Sequence, residues 1–109
     1  MTILTTIQAM ADPTRFEILH LVRRRELAAG DIALYFDTSR PAVSQHLRIL
    51  HRAGLLQERR IGTKRLYAVR PEGFEQLRAF VDGFWDVRLR RLKLAAEATE
   101  RRQRRKKPR

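Results

Sequence analysis

Apolar residues recur at helical spacing from the start of the chain. Ile3, Leu4, Ile7, Met10 and Ala11 predict a short first helix. Asp12-Pro13 opens a second one, because Asp is a good N-cap and Pro at the first helical position gives up a donor that would have no partner there. Phe16, Leu19 and Val22 then share a face, and this helix is expected over residues 13–24. Ile32, Ala33, Tyr35 and Phe36 predict a short third helix between Gly30 and the break at Asp37-Thr38. Ser39 is the next N-cap, Pro41 falls in the first turn, and the fourth helix ends near Ala53-Gly54. Helix, short polar turn and helix together have the spacing of a helix-turn-helix.

Two short strand-like runs follow, residues 55–60 and 64–69, joined by Ile61-Gly62-Thr63 with a glycine suited to a hairpin turn. After Pro71 a long helical segment presents Phe74, Leu77, Phe80, Val81, Phe84, Trp85, Leu89 and Leu92, continued by Ala95-Ala96. That apolar set is too wide for packing within one chain and points to a dimer seam; the alternative is a small-molecule pocket near Trp85, Phe84 and Phe80. Residues 101–109 contain no apolar side chain and are expected to be disordered. The expected organisation is one domain over residues 1–98 and a basic tail over 99–109. The order α-α-α-α-β-β-α, mainly helical with a small hairpin, is that of a winged helix-turn-helix.

Charge sharpens this picture. Lys and Arg number 24 against 12 acidic residues, a formal charge of +12 on 109 residues, which favours a polyanionic partner through counterion release. Seven of the cations lie in residues 101–109, so the remainder is only moderately basic. An apolar fraction of 43% supports a folded core, though a small one that dimerisation would relieve. The chain has no cysteine, which excludes disulfides, thiolate metal sites and thiol redox sensing and fits a reducing cytoplasm. No signal peptide is read and no apolar run approaches the roughly 18–20 residues of a membrane span, so a cytoplasmic, nucleoid-associated protein without a membrane partner is expected. Enzymatic chemistry and a cofactor are not expected. Ser and His lie together only in Ser44-Gln45-His46, where neighbouring helix positions do not face each other, and there is no glycine-rich phosphate loop.

The helix from Arg40 carries the sharpest signal. At about 100° per residue, Val43, Leu47 and Leu50 fall together and face the core, while Arg40, Ser44, Gln45, Arg48 and Arg52 fall on the other side. That exposed set is rich in donors and has no carboxylate, whereas a merely solvated helix face usually mixes acids with bases. A helix bound for the major groove needs such side chains to reach base edges and phosphates. His46, nearer the apolar margin, is read as structural, and His20 and His51 are left unassigned. Arg59, Arg60, Lys64 and Arg65 surround the hairpin tip and are expected on DNA phosphates or in the minor groove, with an aggregation-blocking edge as the alternative. Tyr67 is expected to pack and not to stack on a base.

Asp12-Pro13-Thr14-Arg15, the stretch Ser39-Arg40-Pro41-Ala42-Val43-Ser44-Gln45-His46-Leu47-Arg48-Ile49-Leu50, Ala53-Gly54-Leu55 and Gly62-Thr63-Lys64-Arg65-Leu66-Tyr67 together resemble the ArsR-type winged-helix repressors. Phe84-Trp85 resembles a subgroup without metal sites. The resemblance implies a homodimer joined through its first and last helices, Ile3, Leu4, Ile7, Phe80, Phe84, Trp85, Leu89 and Leu92 being the expected interface. It also implies repression at an inverted-repeat promoter site, often the protein's own, with Ser44 and Gln45 near the bases and Ser39 at the start of the reading helix. Where some members of that family carry metal-binding thiolates this chain has Ala28 and Gly30, and no histidine follows His51, so metal sensing is not expected. The partners read from the sequence are double-stranded DNA and a second copy, with a small-molecule effector left open. The competing reading is a non-specific nucleoid-associated or RNA-binding protein dominated by its basic tail.

Overall fold

The computed structural model describes residues 2–106. In chain order the elements are α1 (Ile3–Met10), α2 (Pro13–Leu21), β1 (Leu27–Ala28), α3 (Ala29–Ala33), α4 (Arg40–Arg52), β2 (Leu56–Ile61), β3 (Lys64–Val69), a 3₁₀ turn at Pro71–Phe74, and α5 (Glu75–Lys106). Two compact units result, Met1–Leu77 and Arg78–Arg109. The division falls inside α5 and not at the 98/99 boundary expected from composition, because no residue over 78–105 is buried.

Polar side chains start three of the helices in the first unit. Thr2 accepts from the Thr5 amide at 3.3 Å, Asp12 from Arg15 at 3.0 Å and Ser39 from Ala42 at 3.3 Å, each satisfying a donor that the first turn would leave unpaired. The end of α4 is closed equally firmly. The Gly54 amide donates to the His51 carbonyl and the Leu55 amide to the Leu50 carbonyl, both at 3.0 Å, while Gly54 takes φ 78°. This is the Schellman arrangement, and the apolar pair that accompanies it, Leu50 and Leu55, is wholly buried. Gly73 of the 3₁₀ turn rests on the same spot: a Cβ there would collide with the Gly54 carbonyl oxygen.

The sheet has the order β1-β3-β2, antiparallel throughout. Gly62, at φ 62°, and Thr63 make a two-residue turn between Ile61 and Lys64, and positive φ at the first position alone fits a type II′ turn. The pairing of Leu27 with Tyr67 and Ala28 with Leu66 adds a strand that the sequence reading lacked, since two residues are too few to show alternation. It also moves the third helix forward: α3 starts at Ala29, after an extended Ala28, and stops at Ala33. Similarly α2 ends at Leu21, short of the expected residue 24. The core gathers Ile18 and Val22, Ile32, Val43, Leu47 and Leu50, Leu55 and Leu56, with Tyr67 closing it from the sheet.

In the second unit α5 remains helical through Lys106, which corrects the disorder expected from residue 101 onward. Arg, Lys and Gln are good helix formers, and cations favour the negative end of the helix dipole. Residues 107–109 of the expected tail lie outside the described residues. Among the described residues no helix is long and apolar enough to cross a membrane.

Candidate nucleic-acid interface

Burial of Val43, Leu47 and Leu50 fixes the rotation of α4, and the remainder of the helix follows from it. Ser39, Arg40, Ser44, Gln45, Arg48, His51 and Arg52 are all exposed. Arg40, Ser44, Arg48 and His51 form one file, spaced by three or four residues, along a cleft of about 580 Å³. The opposite wall is the hairpin, through Glu58, Thr63, Lys64, Arg65 and Tyr67, and the end wall is the chain from Ala28 to Asp31. The Arg40 guanidinium lies over Gly30, where a methyl would make ordinary contact with it at 3.4 Å. Gln45 and Arg52 lie outside this cleft, and Arg52 lines a separate groove with Ile49 and Arg15.

The four hairpin cations grouped at the tip by sequence do not act alike. Arg60 pairs across the strands with Arg65, on the face that also carries Glu58 and Tyr67. Arg65 lies 3.8 Å from Glu58, which also accepts from the Tyr67 hydroxyl at 3.3 Å. Tyr67 is 6% exposed, and burial, followed by the nearby Glu58 carboxylate, pushes its hydroxyl above the ordinary tyrosine pKa. Packing is therefore its position in the structure. Arg59 points away from this group and forms a forked ion pair with Glu26, with Nη2 at 2.6 Å and Nε at 2.8 Å from the carboxylate oxygens. The hydrogen bonds from Arg59 hold the Glu26 carboxyl below its usual pKa.

A second polar cluster supports α4 from behind. Arg15 donates from Nε to the Ala9 carbonyl at 2.6 Å and from Nη2 to Gln8 at 3.3 Å, while its Nη1 lies 3.3 Å from His46 Nδ1. His46 is also 3.8 Å from Asp12. One guanidinium thus joins the end of α1 to α4, giving His46 the structural setting read for it.

Sequence reasoning missed His51, which stands in the cleft, and the carboxylates of Asp31 and Glu58 beside the cations. The helical spacing of His51 from Ser44 and Arg48 was visible, but its margin position gave no reason to prefer it. Among the described residues no three His, Cys, Asp or Glu side chains are grouped as metal ligands would be.

A helix-turn-helix whose acid-free exposed face looks across a cleft at a cationic hairpin defines a winged-helix DNA-binding regulator. The family model described as "Bacterial regulatory protein, arsR family" matches residues 12–58, from the α2 N-cap into β2. The HTH-type transcriptional regulator Rv2034 of Mycobacterium tuberculosis is 45% identical over 78 residues, 72% of this chain and 73% of its own length. The transcriptional repressor SdpR of Bacillus subtilis is 44% identical over 55 residues, covering 50% of this chain and 61% of that protein. A crystal structure described as a "Possible transcriptional regulator for arsenical resistance" matches with a TM-score of 0.66 and 40% identity, over 82% of this chain and 93% of that one. The chain belongs to the ArsR family of bacterial transcriptional regulators, which are not enzymes.

Proposed function

We propose that the protein is a homodimeric transcriptional repressor that binds an inverted-repeat operator. The observation that carries the reading is the exposed file Arg40, Ser44 and Arg48 on α4, facing Lys64 and Arg65 across the cleft. In this reading Ser44, Gln45 and Arg48 enter the major groove, Ser39 and Arg40 meet the backbone at the helix start, and Arg60, Lys64 and Arg65 hold flanking phosphates. Arg59 joins them only by leaving Glu26.

The dimer is supported by apolar exposure. Leu4 is 65% exposed on α1, and Phe80, Phe84, Trp85, Leu89 and Leu92 are all more than half exposed on α5. Side chains of this size on one helix call for a partner surface, and Ile3 and Ile7 stand with Leu4 as the apolar residues proposed for the interface on α1. A two-fold dimer reads a two-fold site, which gives the inverted repeat. Repression follows the character of relatives such as SdpR.

The basic end of the chain favours a second reading, a protein that coats nucleic acid without regard to sequence. Selection from random duplex DNA at near-physiological salt separates the two. A repressor enriches an inverted repeat, bound roughly 10³-fold or more above random duplex; a coating protein enriches nothing. Within a selected site, Gln45→Ala relaxes base preference and keeps the salt dependence, while Arg65→Ala weakens binding to every sequence and flattens it. An unchanged selected sequence for Gln45→Ala would remove that residue from base reading.

A further inference from the structure

We infer that the C-terminal turns of α5, beyond Glu100, form a second phosphate-binding surface for duplex DNA, distinct from the cleft of α4 and the hairpin. The inference rests on the proposed function for the identity of the polyanion and goes beyond it in assigning a new contact element.

The apolar side of α5 stops before the helix does. Phe84, Trp85 and Leu92 are continued by Ala95, Ala96 and Thr99, and no apolar residue follows. The helix nevertheless persists to Lys106. At about 100° per residue, Arg101, Arg102, Arg104 and Arg105 fall within an arc of about 160° and make one basic side, while no apolar residue takes the other side of these turns. All four are exposed. Arg104 lies 4.0 Å from Glu100 and is 76% exposed, and among the described residues the other three have no carboxylate partner. Residues 101–109 contain no acid at all.

A helical end that buries nothing and carries one sign of charge is suited to a dense line of anions. Six helical residues rise by about 9 Å, and duplex DNA presents one charge per roughly 1.7 Å of its axis. Arginine brings a fork of donors that matches phosphate oxygens. An anionic membrane is the weaker match, because surface-binding helices pair their cations with an apolar face along the same turns. Here the apolar side has ended before the basic turns begin.

Such a surface recognises phosphate and carries no base information. It must therefore strengthen operator and random duplex alike, and it must be salt-sensitive. The test compares the full chain with two variants: one ending after Glu100, and a full-length protein carrying R101Q, R102Q, R104Q and R105Q together. Binding to the selected operator and to random duplex is measured across salt. Circular dichroism and ultracentrifugation confirm that helix content and association persist in the glutamine variant. The expected result is a log–log salt slope reduced by ~0.9 for each phosphate that is no longer neutralised, with affinity falling by the same factor on both DNAs. An unchanged slope, or a weakening confined to the operator, overturns the inference. So does loss of binding to phosphatidylserine vesicles with DNA binding intact. If the full chain selects no sequence while the slope still falls in both variants, the repressor reading fails and the basic end remains a DNA-binding element.

Discussion

Glu26 holds Arg59 through two guanidinium nitrogens, and the pair ties the outer hairpin strand to the residue preceding β1. In the free protein this removes one cation from the set that could meet DNA. Glu26→Gln deletes an acid and frees Arg59, so affinity for any duplex should rise several-fold and the salt slope should steepen by ~0.9, the share of one additional neutralised phosphate. Binding titrations at several salt concentrations check this. An unchanged slope would place Arg59 away from the backbone, and weakened binding would make the pair a brace for the hairpin.

Asp12 caps α2, and the Arg15 amide, ahead of the nearby His46 and Arg15 charges, holds its carboxyl below the usual 3.8. A carboxyl lowered in the folded state stabilises above its unfolded pKa, and this contribution disappears as pH falls through the lower folded value. Asp12→Ala should cost about 1 kcal/mol at neutral pH. Asp12→Asn keeps the cap without titrating, so its stability should decline less steeply below about pH 4. Chemical denaturation at a series of pH values reads both effects; parallel curves for wild type and Asp12→Asn would show that the carboxyl's charge contributes nothing.

Two glycines should respond oppositely to alanine. At Gly73 the new methyl would collide with the Gly54 carbonyl, a backbone atom with little freedom to move. Gly73→Ala should destabilise by at least the ~1–3 kcal/mol typical of overpacking. Gly83, within α5, has nothing within 4 Å of the position its Cβ would take, and Gly83→Ala should stabilise the helix by up to about 1 kcal/mol. Thermal unfolding of the two variants decides, and a Gly73→Ala protein as stable as wild type would refute the close approach.

Trp85 is 54% exposed, with the Arg88 guanidinium 5.9 Å from its ring centre. If it anchors the dimer, Trp85→Ala should leave the first unit's fold intact and weaken association by about 2 kcal/mol or more, roughly 30-fold. Sedimentation over a dilution series measures this. A monomer–dimer midpoint unmoved by the substitution would take Trp85 out of the seam.

Much of this fold is legible in the chain because the relevant signals are local. Ser39 and Asp12 cap the helices that their types suggest, and the helical spacing of Val43, Leu47 and Leu50 is enough to orient α4. The misses have long-range causes. Leu27–Ala28 becomes a strand only because β3 arrives beside it, and Arg59 separates from Arg60, Lys64 and Arg65 only because Glu26 lies 33 positions earlier. Composition also misled at residue 101. Lack of apolar side chains argues against burial, but it does not forbid a helix built from good helix formers and attached to one already formed. In the candidate interface, residue types could identify the α4 file. They could not show that Gln45 lies outside the cleft and His51 within it, because that depends on where the hairpin folds over.

The closure of α4 on Gly54 and Leu55, locked from behind by Gly73, leaves no slack between the reading helix and the strand that follows. Helix and hairpin are accordingly joined through one close-packed, hydrogen-bonded corner. In the proposed repressor, a change that weakened DNA binding would therefore act on helix and hairpin together, or on the spacing of two copies, and not on the angle between α4 and β2.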